Sequence, residues 1–170
     1  MKKYLFASLA LFTFGAIAAP AETASPLAPV ASLVGGVWIA DLPVKEGQAP
    51  TQLEARFAWT ENKQAIRFSS AFIREGKTSP YTDGFYAWNA VKGKLVIYYT
   101  DSKGGLTEGL ITEEGGSLLC DLTVFEQNRE TTPVRVRTTK VGDDVFTNEI
   151  MLKKDGEWAR FVMVRYVRQK

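Results

Sequence analysis

The residue types that carry most enzyme and metal chemistry are nearly absent from this chain. Its 170 residues include no histidine and a single cysteine, Cys120. Serine-histidine and cysteine-histidine catalysis need a histidine base, and haem and zinc sites use histidine or several cysteines as ligands. We therefore predict no catalytic residues, no metal site and no cofactor. Cys120 alternates with Leu118 and Leu122, which predicts a small buried side chain and not a reactive thiol.

Acidic side chains offer another route to acid–base chemistry. Two carboxyl groups that face each other can donate and accept protons in turn. The predicted strands do not show that any two acidic side chains face each other. We therefore expect these carboxylates to lie exposed on the solvent face. The adjacent residues Asp143 and Asp144 fall in a predicted turn that lacks the repeated oxygen ligands of a calcium loop. The acidic residues in or beside predicted strands are Asp83, Glu108, Asp121 and Glu149.

Aromatic side chains have the most regular spacing in the sequence. In segment 51–60 every second residue from Leu53 to Trp59 is apolar, and Glu54 and Arg56 stand between them. This period of two predicts half-buried strands, and an inward aromatic wall suits a small hydrophobic ligand. In segment 82–90, either Tyr86 and Trp88 or else Phe85 points inward. The predicted ligand-binding wall consists of Phe57, Trp59, Phe68, Phe72, Trp88, Ile97 and Tyr99.

Short glycine-containing turns divide the chain into consecutive strands, with no helical crossover between them. The fold class is therefore all-β: an antiparallel up-and-down β-barrel of about 8–10 strands, since closure removes exposed edges. Residues 42–50 and 76–80 are predicted loops, and the first is a candidate lid. The predicted strands occupy residues 36–41, 51–60, 64–74, 82–90, 94–101, 105–112, 116–126, 132–141, 143–152 and 157–168.

The charged faces of these strands indicate a barrel that is surrounded by water. A transmembrane barrel turns its apolar face to lipid and keeps a polar lumen. Here Glu54 and Arg56 lie opposite an aromatic face, and Arg135 and Arg137 lie opposite valines. We expect no stable membrane insertion. A ten-stranded barrel is also wider than eight-stranded barrels whose side chains fill the interior, which leaves room for a cavity.

The first residues predict secretion. A lysine pair at Lys2 and Lys3 precedes an apolar run over 4–19 and an Ala-Pro-Ala sequence that ends at Ala21. This order is typical of a signal peptide. We expect residues 1–21 to be removed, with cleavage after Ala21 or, as second choice, after Ala18, and a periplasmic or secreted product. Residues 22–34 form a predicted linker with one helical turn at 31–34, and residues 35–170 form a single barrel domain.

Removal of the leader also changes the charge of the protein. Lys2 and Lys3 supply the whole excess of 21 basic over 19 acidic residues, so the remaining domain is formally neutral. A nucleic-acid-binding domain is expected to carry a basic patch and a basic balance. Nucleic acid is therefore not an expected partner.

The start and end of the predicted barrel resemble those of a known superfamily. Residues 33–38, Leu-Val-Gly-Gly-Val-Trp, resemble the opening of lipocalin-like barrels, in which a Gly-x-Trp sequence places the indole across one barrel end. Gly36 and Trp38 are the matching residues, and Arg168 stands where that superfamily has an arginine packed on the tryptophan. The resemblance implies that these three residues close the barrel. The chain is thus similar to secreted bacterial lipocalin-like (calycin-type) domains.

Ten strands exceed the eight of lipocalins, so ten-stranded barrels of the fatty-acid-binding or nitrobindin kind are also similar in architecture. Nitrobindin holds haem through a histidine, which this chain lacks, so its activity is not implied. The leading functional hypothesis is a non-catalytic barrel that binds a small hydrophobic molecule. A protein-binding module, such as an inhibitor or accessory factor of an envelope enzyme, is the alternative. A barrel enzyme that uses carboxylates or tyrosines is the third.

Overall fold

Ten antiparallel strands and one short helix account for most of the described chain. The structure, a computed structural model, describes residues 25–44 and 46–169, and the predicted signal peptide lies outside them. The elements are α1 (Ala28–Ala31), β1 (Val37–Asp41), β2 (Thr51–Trp59), β3 (Ala65–Arg74), β4 (Lys77–Asn89), β5 (Lys94–Asp101), β6 (Leu106–Glu114), β7 (Ser117–Phe125), β8 (Thr131–Gly142), β9 (Val145–Lys154) and β10 (Glu157–Gln169).

The strands form a closed barrel in which each strand pairs with its neighbours in sequence and β1 also pairs with β10. Trp38 in β1 is opposite Ala55 of β2 on one side and Arg168 of β10 on the other. The prediction of an all-β, up-and-down antiparallel barrel is confirmed, with ten strands. The closure is short, because β10 pairs with β1 only over residues 167–169 and is bonded to β9 alone over most of its length.

The predicted loop at 76–80 is wrong. β4 begins at Lys77 and pairs with β3 along this segment, and the connection is a tight turn at Glu75 and Gly76. Both turn residues have positive φ angles, of 50° and 73°. Pro80 cannot donate a hydrogen bond to the ladder, and it lies next to a register shift where such a residue is tolerated.

The helical turn lies three residues earlier than the sequence predicts. α1 spans Ala28–Ala31, whereas the predicted turn occupies residues 31–34. Leu27, Val30 and Leu33 recur every third residue, so they share one face of the turn, and all three are buried. The described part of the predicted linker therefore packs onto the barrel as a plug.

Candidate binding site in the barrel interior

The two ends of the barrel differ in how they are covered. We call the end that carries α1, the start of β1 and the end of β10 the closed end. The opposite end, which we call the mouth, is formed by residues 42–44 and 46–50 and by the turns β3–β4, β5–β6, β7–β8 and β9–β10. The positions of side chains along this axis define the candidate site.

An arginine and a tryptophan seal the closed end. The guanidinium carbon of Arg168 lies 4.2 Å from the centroid of the Trp38 ring. Nη1 of Arg168 donates to the carbonyl oxygens of Val34 and Gly35, at 3.1 and 2.7 Å, and the Trp38 indole donates to the Leu33 carbonyl at 2.9 Å. The two polar groups that cross this apolar end are thus held by the backbone of the plug.

Arg168 fills the space next to Gly36, so position 36 has no room for a side chain. A Cβ at this position would lie 3.0 Å from Cγ of Arg168, and the φ angle of Gly36 is +71°. A larger residue would therefore meet both a steric contact and an unfavourable backbone conformation. The structure places Gly36, Trp38 and Arg168 together, as the lipocalin resemblance implies.

Aromatic rings fill the interior next to this seal. The ring of Phe146 packs edge-on against Trp38 at 4.8 Å and stacks on Tyr166 at 4.6 Å. Phe57 approaches the same ring at 6.4 Å. Phe146 is 2% exposed and Ile66 is fully buried, so this half of the barrel is mostly packed, and we call it the solid half. A cleft of about 160 Å³ at the closed end is lined by Leu33, Ser117 and Phe146.

Accessibility increases toward the mouth along several strands. In β9 the inward side chains begin with buried Phe146 and continue with Ile150 and Leu152, which are partly accessible. In β2 the order is the same, from buried Phe57 to partly accessible Leu53. Apart from Asn148 on β9 and Ser70 on β3, the inward side chains here are apolar, so the accessible half of the interior has a mainly hydrophobic wall on the side of β8–β10 and β2–β3. On the β6–β7 side, inward residues remain buried at this level.

Tyr86 lies within the solid half, opposite the buried residues Ile66 and Ile97. It packs against Phe68 at 5.2 Å and Phe57 at 6.3 Å, and burial raises its pKa well above 10.0, with charge repulsion from neighbouring groups adding to the effect. Its side chain nevertheless retains accessible surface. Part of Tyr86 therefore stays accessible although its ring packs against Phe57 and Phe68.

The predicted ligand-binding wall is spread along the whole axis. Phe57 and Ile97 belong to the buried core, and Trp59, Phe68 and Tyr99 pack against that core while remaining partly accessible. Phe72 lies at the mouth, where its ring contacts Tyr81 at 4.6 Å.

Trp88 does not line the interior. It shares the inward face with Tyr86 by alternation, but it lies at the rim of the closed end and is 44% exposed, near Pro26 and Pro29. Phe85 is on the outer face and is also 44% exposed, so the uncertainty about segment 82–90 resolves with Tyr86 inward. Alternation assigns a face but not a depth, which is why the position of Trp88 was predicted wrongly.

A cleft of about 540 Å³ opens at the mouth. The segment predicted as a candidate lid contributes Leu42 and Val44, and β3 contributes Phe72. Arg74 lies at the rim and donates from Nε to the Thr51 hydroxyl at 3.0 Å. The cleft therefore joins an apolar floor to a charged rim.

Polar side chains inside the barrel occur mostly in pairs. The hydroxyl oxygens of Ser70 and Thr82 are 2.5 Å apart, and the Thr138 hydroxyl donates to Oδ1 of Asn148 at 2.8 Å. Sequence analysis missed Asn148, although its place between inward-facing Phe146 and Ile150 carried the signal. The Asn148 carbonyl oxygen is satisfied in this way, whereas its amide nitrogen has no hydrogen-bond partner among the described residues, so the inner wall carries one polar donor at this position.

The carboxylates that could have supported acid–base chemistry lie on the outer face, where three of them pair with arginines. Asp83 bonds Arg67, whose hydrogen bond and charge lower the pKa of that exposed carboxyl, and Asp121 lies 2.6 Å from Arg135. Glu149 lies 2.5 Å from Arg160. Among the described residues, no group of three or more acidic, cysteine or histidine side chains is placed to hold a metal ion.

Cys120 lies in the solid half and is 6% exposed, as its alternation predicts. Burial raises the pKa of its thiol from 9.0 to about 12. The reactive thiolate form is thereby disfavoured. No helix within residues 25–44 or 46–169 is long and apolar enough to span a membrane.

The fold is similar to that in the crystal structure of Rv2717c from M. tuberculosis. The two structures match with a TM-score of 0.56 over 86% of this chain and 99% of that one, at 12% sequence identity. A likeness at this identity concerns the fold alone. No protein-family model and no curated protein matches this chain.

Proposed function

We propose that this barrel binds a small hydrophobic molecule in the mouth half of its interior and does not convert it chemically. The observation that carries the proposal is the gradient of burial, from fully buried Ile66 near the closed end to partly accessible Ile150 and Leu152 toward the mouth. Apolar walls that retain accessible surface inside a closed sheet gain free energy when an apolar ligand covers them. The gain is roughly 25 cal/mol for each Å² removed from water.

The same gradient distinguishes this proposal from a role in protein binding alone. A barrel that serves only to display its loops needs a fully packed interior, because packing supplies its stability. Here the inward apolar residues Leu53, Ile150 and Leu152 toward the mouth retain accessible surface. The cleft beside Leu42 and Phe72 provides the entry path.

We further propose that the protein acts in the periplasm or outside the cell and that it is a lipocalin-like (calycin-type) barrel. The first part is supported by Lys2, Lys3, the apolar run and the Ala-Pro-Ala sequence before residue 22. The second is supported by the contact between Arg168 and Trp38 next to Gly36. N-terminal sequencing of the exported protein tests the first part, since it should begin at Glu22 or, by the second choice, Ala19.

Ligand binding is tested by native mass spectrometry after gentle purification and by titrating the fluorescence of the four tryptophans with nonane and methyl octanoate. We expect a bound small molecule or saturable binding of these probes. Ile150→Trp should fill the accessible half and abolish binding. Met163→Trp is the matched control, because Met163 is 47% exposed on the outer face. Absence of any bound molecule and of any titration would refute the proposal, as would unchanged binding by Ile150→Trp.

A further inference from the structure

Most of β10 has a partner strand on one side only. β9 pairs with it along residues 157–167, whereas β1 pairs with it only over residues 167–169. The chain does not continue from β1 along β10, because the Leu42 amide donates to the Thr51 carbonyl of β2 at 2.9 Å. Within the part of the chain that the structure describes, residues 157–165 have no backbone hydrogen bond on the side away from β9. We call this segment the free edge.

The free edge combines unpaired backbone groups with exposed apolar surface. Phe161 is 69% exposed, and Ala159 is exposed although it lies opposite the inward-facing Leu152. A row of unpaired N–H and C=O groups is a template for a further strand, and apolar side chains beside it gain free energy when that strand covers them. The occupant that such an edge fits is therefore an extended chain.

A register shift in β10 determines which extended chain fits. Arg160 pairs with Met151 and Val162 pairs with Ile150, so Phe161 is an extra residue. Val162 packs against the core, whereas Arg160 and Phe161 are both exposed, so the alternation of inward and outward residues changes phase here. A second β10 that runs antiparallel carries the same extra residue. One register therefore keeps inward residues opposite inward residues on both sides of the shift.

That register places residue 160 opposite residue 161 of the second copy. Each Phe161 ring then lies against the Arg160 guanidinium of the other copy, in position for a cation–π contact. Ala159 lies opposite Val162, and both face inward. The paired segment covers residues 157–164 in both copies and ends before residues 167–169, where β1 is already bonded. β1 therefore does not block the second strand.

The charges at the ends of the paired segment are complementary. Among the described residues, Arg165 has no ion-pair partner, and neither Asp155 nor Glu157 has one. In the register above, Arg165 lies opposite residue 156 of the second copy and thus beside its Asp155 and Glu157. The two-fold symmetry of an antiparallel pair repeats this arrangement at the other end. A second copy of the chain therefore matches the free edge in direction, phase and charge.

We propose that two copies of this protein form a symmetric dimer by antiparallel pairing of their free edges over residues 157–164. The sheets of the two barrels join across the two-fold axis, and the backbone groups of each free edge gain hydrogen-bond partners. The inference goes beyond the proposed function, because formation of the dimer requires no ligand.

Analytical ultracentrifugation of the purified protein over a range of concentrations measures the dissociation constant of the dimer. We expect the wild type to dimerise. Phe161→Lys should raise the dissociation constant about tenfold or more, because it places a lysine opposite Arg160 twice in each dimer. Phe85→Lys is the matched control, since Phe85 is a 44% exposed outer residue on β4, away from the free edge, and should leave the dissociation constant unchanged. Circular dichroism checks that both variants are folded.

A charge exchange tests the register. Arg165→Glu should weaken the dimer, because it places a carboxylate beside Asp155 and Glu157 of the other copy. Addition of Glu157→Arg to this variant should restore part of the lost affinity. Hydrogen–deuterium exchange then locates the contact: amides within residues 157–164 should exchange more slowly in the concentrated, dimeric protein than after dilution.

Three results would overturn the inference. The first is a wild type that stays monomeric at every concentration, and the second is a Phe161→Lys variant that dimerises as well as the wild type. The third is slower exchange on dimer formation at another surface, such as the outer face around Phe85 and Tyr98, without slower exchange in β10. Failure of the barrel to bind nonane or methyl octanoate would refute the proposed function and leave the dimer standing.

Discussion

The closed end and the mouth of the barrel follow the same alternation of inward and outward residues but are filled differently. At the closed end, Trp38, Phe146 and Tyr166 pack ring against ring beneath the plug formed by α1. Toward the mouth, the inward residues of β9 are the smaller aliphatic side chains Ile150 and Leu152. The inward residues are therefore packed ring against ring at the closed end and retain accessible surface toward the mouth, where Phe72 and Tyr81 also lie.

The closed half of the barrel therefore supplies most of its stability, and the mouth half is the part available for binding. Rings that are fully buried contribute their whole apolar surface to the folded state, whereas partly accessible side chains contribute less. The accessible half retains unburied apolar surface that a ligand can cover. Each prediction below tests whether the two halves differ in this way.

Replacing one phenylalanine by alanine at each end of the barrel should give the largest difference in the free energy of unfolding. Phe146→Ala removes a ring that is 2% exposed and should lower the free energy of unfolding by about 3–5 kcal/mol. Phe72→Ala at the mouth should lower it by only about 1–2 kcal/mol, because that ring is already partly accessible. Urea denaturation followed by circular dichroism measures both. Equal losses would show that the two halves are packed alike.

Thiol labelling compares the two halves by chemical access. Burial raises the pKa of Cys120 to about 12, so a disulfide reagent at mildly alkaline pH should react with it slowly. A cysteine introduced as Leu152→Cys in a Cys120→Ala background should react roughly a hundredfold faster, since it lies in the accessible half. Comparable reaction rates for the two thiols in the folded protein would contradict the gradient of burial from the closed end to the mouth.

Alkaline pH should weaken the solid half through its buried phenols. Burial raises the pKa of Tyr166 above its ordinary 10.0, so the folded state keeps a proton that the unfolded chain releases. The stabilisation is complete below pH 10 and is lost as the pH rises through the raised pKa of the folded state.

Tyr166→Phe should therefore reduce the slope of unfolding free energy against pH above 10.0 by up to about 1.4 kcal/mol per pH unit. Urea titrations at a series of alkaline pH values measure this slope. Tyr98→Phe on the outer face is the matched control. If the slope is the same in wild type and Tyr166→Phe, then Tyr166 does not titrate from a buried position.

The strands were predictable from sequence because local signals specify them. Period-two alternation and glycine turns define ten strands at nearly the observed positions, and closure follows from the need to remove edges. The exception is segment 76–80, where Pro80 suggests a loop. The structure places Pro80 beside a register shift, so the strand continues past it.

The depth of each residue in the barrel was not predictable in the same way. Phe57 and Phe72 share an inward face, yet one is 8% exposed in the core and the other lies at the mouth. Depth depends on strand stagger and on the position of α1, which are set by contacts distant in sequence. For the same reason, alternation could not show that Trp88 is at the exposed rim.

The most direct test of an interior that is solid at one end and open at the other is a crystal structure determined under xenon pressure, because xenon occupies apolar cavities of sufficient size. The account predicts xenon beside Val134, Ile150 and Leu152, and none beside the fully buried Ile66. An interior without xenon in the mouth half, or with xenon next to Ile66, would contradict it.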